Sequence, residues 1–375
     1  MLSKVLISLT RINNVQFLSN MANVLSLLFI PVFARSFGAS YLEVGFIVGI
    51  YSATTLISSF FFGRLADLRS LRTVLVFGFG FAALAFFLQV FALTPLSLLL
   101  ARALAGFSVG ILPGALVAYV HYQKHSLGKF ISLGSLGWML GYFVAGIIGE
   151  NMILLFLLSA LLYAFCFLQV LHLQDIEKPH LEASYFSLNT FIRNAGIYIP
   201  FFLRHTGAVG VWTIFPLYLR QLGASDFWIG LIYALNPAAQ FLIMRRLDSI
   251  ETGKMILAGY IFSVFGFISY IFAPSYLYAI PGMLLIACSW SFLYVGSTRY
   301  VVESNPDKAT AAGLLNSMVG ASGVAGALLG GFLSENFDFE AAMLGAALFS
   351  IFGLMLFEFF GKATSKKRSL KLQNS

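Results

Sequence analysis

Residues 31–45 read PVFARSFGASYLEVG, and residues 216–230 read PLYLRQLGASDFWIG. Pro31/Pro216, Arg35/Arg220, Gly38/Gly223, Ala39/Ala224, Ser40/Ser225 and Gly45/Gly230 are identical, each pair 185 positions apart. A period close to half of a 375-residue chain means two copies of one unit. The same offset returns far downstream in Gly128/Gly313, Ser132/Ser317, Gly141/Gly326, Gly146/Gly331 and Glu150/Glu335. Glycine-rich segments match by chance more easily, but recovery of one register at two distant places calls for duplication.

What is duplicated follows from composition. The chain is 59% hydrophobic and 10% charged, against roughly 45–50% and about 25% in a soluble domain. A soluble core cannot hide that much apolar surface. Runs of about 20 apolar residues between short polar patches read as membrane-spanning helices. They lack the alternation of transmembrane β-strands. The fold class is therefore an all-α polytopic membrane protein of twelve transmembrane helices, in two pseudo-symmetric six-helix halves. The expected spans are 15–36, 41–62, 73–93, 95–120, 130–150 and 152–173, then 197–221, 226–245, 255–273, 276–301, 312–334 and 340–361. This gives an N-terminal half at 1–173, a linker at 174–194, a C-terminal half at 195–361 and a basic tail at 362–375. The linker is polar, with an amphipathic stretch near Tyr185–Phe191.

The net charge of +8 invites a nucleic-acid partner, but the charges are distributed otherwise. Lys and Arg cluster in every second loop: Arg64, Arg69 and Arg72, then Lys124 and Lys129, Lys178 and Arg193, Arg245, Arg246 and Lys254, and Lys308. Lys4, Arg11 and the tail lie on the same side, while the opposite side has only Arg35 and Arg220 among several acids. The positive-inside rule then puts both termini and the linker in the cytoplasm of a multi-pass plasma-membrane protein. No nucleic acid is expected as a partner. The tail, Lys362 to Lys371, is the place to touch anionic membrane lipids, although an ordinary positive flank reads more simply. The N-terminus has no small-residue cleavage site and is not expected to be a signal peptide. Cys166 and Cys288 sit in apolar runs and imply no disulfide framework.

The loop after span two reads Gly63-Arg64-Leu65-Ala66-Asp67-Leu68-Arg69-Ser70-Leu71-Arg72. It resembles the G-x-L-A-D-R-x-G-R-K/R signature of the major facilitator superfamily at Gly63, Leu65, Ala66, Asp67 and Arg72. It departs at Leu68, Ser70 and Leu71, and the second half keeps only Arg245-Arg246-Leu247-Asp248. By its position Asp67 belongs near the N-terminus of span three, where the helix dipole favours an anion and the arginines can pair with it. The resemblance implies that Asp67 and Arg72 latch one conformational state.

Span four places Arg102 ahead of Gly106 and Gly110, similar to the family's second motif. The resemblance implies a part for Arg102 in organising a neighbouring helix or in proton coupling. Capping backbone carbonyls of span one is an equal alternative. An arginine inside a span costs roughly 2.5–3.5 kcal/mol on insertion scales, so it must find acceptors. Gly106, Gly110 and Gly114 form a small-residue ridge for close helix approach. Span five, Gly134 to Gly146, resembles the family's antiporter signature, with Tyr142 after Gly141 where that signature has proline.

Gln16, Asn20 and Asn23 lie on one face of span one. The positions 185 residues on are Phe201, His205 and Ala208, and Trp212 continues that stripe. Buried amides face either a polar cavity or a neighbouring helix. In the fold the resemblance implies, spans one and seven line a central cavity, so Asn20, Asn23, His205 and Trp212 are candidate substrate contacts. Arg204 is a further candidate, as an anion-binding group or a structural tether. Asn236, Trp290 and Tyr294 are weaker candidates. No carboxylate lies mid-span, the nearest being Glu358 towards the inner end of span twelve. His205, which titrates near pH 6.5 when unperturbed, is the one candidate for proton coupling. A facilitator without a proton step stays open.

Enzyme readings fail. Gly320-Ala321-Ser322-Gly323 has no later histidine to act as its base. His121 and His125 have no carboxylate or cysteine nearby to complete a metal site. No P-loop is present. No catalytic residue, metal or cofactor is expected. The expected partner is a small-molecule substrate, with protons as the other transported species and the protein acting as a monomer. The reading is a permease moving a hydrophobic or amphipathic solute outward by alternating access. An uptake symporter or facilitator for a sugar or metabolite, and a non-transporting membrane sensor or scaffold, are the alternatives.

Overall fold

The computed structural model describes residues 2–39, 41–148, 151–176 and 188–373. All regular structure among them is helical, as a chain in hydrocarbon requires when every backbone N–H and C=O must be satisfied within its own segment. We number the long helices α1 (Leu2–Leu25), α2 (Tyr41–Leu68), α3 (Leu71–Leu88), α4 (Pro95–Gly110, resuming as Leu112–Tyr122), α5 (Leu127–Ile148) and α6 (Met152–Leu171). The second half holds α7 (Ala195–Gln221), α8 (Asp226–Met244), α9 (Thr252–Ile271), α10 (Ala279–Glu303), α11 (Lys308–Asn336) and α12 (Phe339–Gln373). Nine of the helices among the described residues are long and apolar enough to cross a membrane. The segments α1, α7 and α8 occupy the other three expected positions.

The first span differs from expectation. It starts at Leu2 and breaks after Leu25, and a separate short helix, Ile30–Ser36, follows. The polar residues before position 15 are thus helical, and the Arg11 guanidinium donates to the His172 carbonyl at 2.9 Å, tying this extension to the end of α6. The break has a proline cause. Pro31 has no N–H for the carbonyl four residues earlier, and it disfavours helical backbone before it. Its counterpart Pro216 sits inside α7, which runs on unbroken. There the orphaned carbonyl is that of Trp212, and the Tyr233 hydroxyl donates to it at 3.1 Å. The position equivalent to Tyr233 in the first half is Val48, which has nothing to donate.

The repeat that organises the chain is a pair of helix C-caps. Gly38 and Gly223 take φ of +80° and +88°, left-handed values that glycine adopts without penalty. Behind them the Ala39 N–H reaches the Ala34 carbonyl at 3.3 Å, and the Ala224 N–H reaches Leu219 at 2.9 Å. This is the six-to-one bond of a Schellman cap, made twice at equivalent positions.

Burial divides into three apolar cores. One contains residues of both halves, among them Ile12, Leu75, Leu116, Met244, Leu293 and Leu315. The other two keep to one half each: Leu25, Ile30, Leu98 and Phe156 in the first, and Val211, Phe215, Phe267 and Met343 in the second. A bundle with one shared core and two separate ones is sealed at one end and divided at the other. The sealed end is the one where α2 meets α11 beside the linker. There Gly63, Gly114 and Gly313, from three helices, converge. A Cβ on Gly313 would meet the Ser59 carbonyl oxygen at 2.6 Å and Gly63 Cα at 2.9 Å. One on Gly114 would meet the Ala309 oxygen at 2.6 Å. Towards the divided end, Gly49 in α2 and Gly230 in α8 have nothing within 4 Å of the same position.

The linker is held at the sealed end. A short helix, Leu188–Arg193, precedes α7. Arg193 pairs with Asp307 at 3.0 Å, and the Asn194 amide donates to Asn305 at 3.1 Å. Residues 177–187, including part of the expected amphipathic stretch, lie outside the described residues. The expected tail is a direct continuation of α12 to Gln373. The side chains of Lys362 to Lys371, proposed as lipid contacts, lie outside the described set.

Gly313→Val is expected to lower the thermal midpoint, by overpacking worth about 1–3 kcal/mol. Gly230→Ala, at an open helical position, is expected to hold or raise it. Thermal unfolding of the two variants in detergent checks the pair.

Candidate functional site

Within and beside the shared core the two halves contribute different residues. On the second half, α7 and α10 build a ladder of rings. The Phe201 and His205 rings lie 5.8 Å apart, His205 and Trp290 4.8 Å, and Trp290 and Tyr294 4.8 Å at an interplanar angle of 9°. The Tyr294 hydroxyl donates to the Asn316 side chain at 3.1 Å, so α11 ends the ladder on an amide. His205 is half-buried, and its Nδ1 is enclosed without a partner. His205, Trp290 and Tyr294 are therefore one continuous feature.

The first half supplies amides. The Trp138 indole N–H donates to Asn20 Oδ1 at 2.9 Å, and Asn20 Nδ2 donates to the Gln16 carbonyl at 2.8 Å. The Tyr51 hydroxyl donates to Asn23 Oδ1 at 2.5 Å. No hydrogen bond joins Asn20 to His205, which lie on α1 and α7 of opposite halves. Trp212 packs towards the divided end against Phe215 and Tyr233, at 5.7 and 5.4 Å between centroids. Asn236 sits elsewhere, buried in a chain that crosses between the halves. It donates to the Met283 carbonyl at 3.2 Å and accepts from Gln240, whose Oε1 in turn accepts from Ser135 of α5 at 3.1 Å.

The two mid-span arginines turn inward. Arg204, 1% exposed, donates from Nε to Ser263 at 2.6 Å and from Nη2 to Ser289 at 2.7 Å, while Phe267 lies 5.6 Å away. It ties α7 to α9 and α10, the geometry of a structural tether. Arg102, also 1% exposed, lies 4.1 Å over the Tyr51 ring and donates to Gln89 Oε1 at 3.4 Å. It does not cap carbonyls of the first span. The carbonyls there serve their own helix, and a neutral amide and a ring lie within reach of the guanidinium. Gly106 brings α4 onto α2, since a Cβ would meet the Tyr51 oxygen at 2.2 Å. Gly141 does the same for α5 against Val24 of α1.

The latch residues are likewise rearranged from expectation. Asp67, 2% exposed, accepts from the backbone N–H of Ala309 at 3.1 Å and of Thr310 at 2.6 Å. It therefore caps α11 of the opposite half, not α3, because the tight Gly63–Gly313 crossing brings the α11 N-terminus to the carboxylate. Arg72 points the other way, donating to the Leu171 carbonyl at 2.6 Å, with Asp175 3.8 Å from it. It fastens α3 to the end of α6 within one half. The remnant motif of the second half contributes Asp248, which accepts from Ser126 at 2.8 Å and lies 3.5 Å from Arg299. Since the Ser126 hydroxyl also accepts from the Lys129 N–H at 3.1 Å, Asp248 holds the cap of α5 as Asp67 holds that of α11.

Sequence reasoning missed Ser135, Gln240, Tyr51, Gln89, Ser263, Ser289 and Asn316. All are polar residues inside apolar helices, which was the available signal. Their serines and tyrosines are too common in membrane helices to single out without knowing which faces meet.

A helical bundle of two like halves, joined by polar contacts at one end, is the architecture of secondary transporters. The family model for the Major Facilitator Superfamily matches residues 13–312 and again 201–374, and the chain belongs to that superfamily. Among curated relatives, multidrug resistance protein MdtG of Escherichia fergusonii is 26% identical over 370 residues, covering 90% of this chain and 90% of its own. An uncharacterized MFS-type transporter of Methanocaldococcus jannaschii is 23% identical over 350 residues, covering 85% and 89%. Among solved structures, the human organic anion transporter MFSD10 superposes with a TM-score of 0.79 at 15% identity, covering 94% of this chain and 99% of its own. The nucleoside transporter NupG gives 0.68 at 16%, with the same coverage. These two show the fold.

Asp67→Asn keeps the shape but removes the charge from two buried N–H donors, bonds worth about 1.5–3 kcal/mol each when the acceptor is ionised. The sealed end should open more often. In a Ser135→Cys background, thiol labelling from the linker side is expected to rise by roughly tenfold.

Proposed function

We propose that this transporter exports a hydrophobic or amphipathic small organic molecule across the plasma membrane by rocking its two halves about the ring-lined site. The observation that carries this reading is the joint one of a bundle whose halves are joined at one end and a cluster of stacked rings edged by amides between its helices. No carboxylate lies in the middle of the spans beside it. A sugar or polar metabolite needs many fixed hydrogen-bonding groups. The ring cluster from Phe201 to Tyr294 is instead mainly apolar, with the Asn316 amide at its edge, a composition that suits amphipathic solutes. The relationship to multidrug resistance protein MdtG supports the outward direction.

Orientation follows from the cationic loops. The sealed end carries Arg64, Arg69, Arg72, Lys129 and Lys308, which supports a cytoplasmic seal by the positive-inside rule. Opening of the inner end then requires release of Asp67 from α11 and of the Ser135–Gln240–Asn236 chain. His205 carries proton coupling in this reading, because it is the titratable side chain placed within the ring ladder.

Purified protein in liposomes, preloaded with unlabelled aromatic compounds, is expected to accumulate the labelled compound by counterflow. Trp290→Ala should cut that exchange by about tenfold, as loss of a central aromatic anchor does. Measured across a series of pH values, exchange by wild type should change with pH and exchange by His205→Ala should not. A flat pH profile in wild type favours a facilitator, and absence of any exchange defeats the transport reading.

A further inference from the structure

Each half buries one arginine in mid-membrane, and neither has an acid. The partners of Arg204 are two serine hydroxyls and a phenylalanine ring. Those of Arg102 are one amide oxygen and a tyrosine ring. Among the described residues, no carboxylate lies within ion-pair distance of either. Buried charges are ordinarily paired, since the interior does not screen them. Left unpaired, they raise the potential of whatever space lies nearby. The other buried charged side chains, Arg64, Asp67 and Asp307, are all at the sealed end.

Both arginines stand one residue or one ring behind the site. Arg204 precedes His205 in α7 and Ser289 precedes Trp290 in α10, so the Arg204–Ser289 bond and the His205–Trp290 stack are adjacent rungs between the same helices. Arg102 lies over Tyr51, whose hydroxyl holds Asn23 of α1. One uncompensated cation thus stands behind the ring cluster and another behind the Tyr51–Asn23 pair, one in each half.

We propose that the site takes an aromatic organic anion, a flat ring system bearing a carboxylate or sulfonate, in preference to the lipophilic cation of the same shape. This rests on the export reading above and assigns the substrate class of that site. The rings alone would favour a cation through their quadrupoles. That attraction is weaker and shorter-ranged than the repulsion from two full charges in a medium of low dielectric. A cationic ligand would also lack the counter-acid it needs, whereas an anion supplies what Arg102 and Arg204 lack. The flat ring system lies against the edge of the ring cluster from Phe201 to Tyr294, with its acidic group on the side of Arg204.

The test uses full-length protein in liposomes and three probes with similar fused two-ring systems: 2-naphthoate, 2-naphthamide and N-methylquinolinium. Wild type is expected to bind and exchange the anion about tenfold better than the cation, with the amide between them. Asn316→Asp adds a carboxylate beside Tyr294 while keeping the oxygen that accepts its hydroxyl. It should erase or invert that ratio. Arg204→Lys should keep the preference, and Trp290→Leu should weaken all three probes alike. A wild-type preference for N-methylquinolinium, or a ratio unmoved by Asn316→Asp, overturns the anion assignment and leaves the export reading standing. Exchange of none of the three overturns both.

Discussion

The meeting of Gly63, Gly114 and Gly313 is the contact on which the rest of this structure depends. Only hydrogen at these three positions lets α2, α4 and α11 approach to backbone distance, and the Asp67 carboxylate reaches the α11 N-terminus because of it. In lipid there is little hydrophobic drive between helices, so close packing and buried polar bonds carry the association. The seal is made of both. A glycine crossing supplies the dispersion contact, and a carboxylate on two unsatisfied N–H groups supplies the directional bond. The Asp248–Ser126 contact repeats the logic from the other half with a hydroxyl between carboxylate and helix. Two such caps, placed by the duplication, close one end of the bundle and leave the other end as two independent cores.

Arg102 and Arg204 play a second structural part. Each ties three elements of its own half together through neutral partners. Between the halves runs the polar chain through Ser135, Gln240 and Asn236. A buried cation is costly in a membrane helix. Here the cost is offset in part by hydroxyl, amide and ring contacts and not by an acid, which leaves the charge to act on the space between the halves. Scaffold and site are in this sense the same residues seen from two sides.

The duplication shows how one sequence feature yields two structures. Pro31 and Pro216 occupy equivalent positions ahead of equivalent Schellman caps. One breaks its helix and the other does not, because Tyr233 donates to the carbonyl that Pro216 leaves open while Val48 has no group to offer Pro31's. The repeated residues are turns and caps. The residues that differ between the copies, Asn20 and His205, or Val48 and Tyr233, carry the local chemistry.

From the sequence alone came the membrane class, the two halves and the approximate positions of most spans. Hydrophobic run length, charge alternation and the 185-residue offset are local or periodic properties of the chain, so they are legible in one dimension. Partner choice is not. Asp67 lies a few residues from α3 in sequence yet caps α11, 242 and 243 residues away in its two bonds. Arg102 was open to carbonyls of the first span and lies instead over Tyr51. Arg204 reads as a ligand or a tether until Ser263 and Ser289 are seen beside it. Which face of one helix meets which face of another depends on where side chains are small enough to allow contact, summed over the whole bundle. Only the tertiary structure decides that, and with it which buried charges find a partner and which two do not.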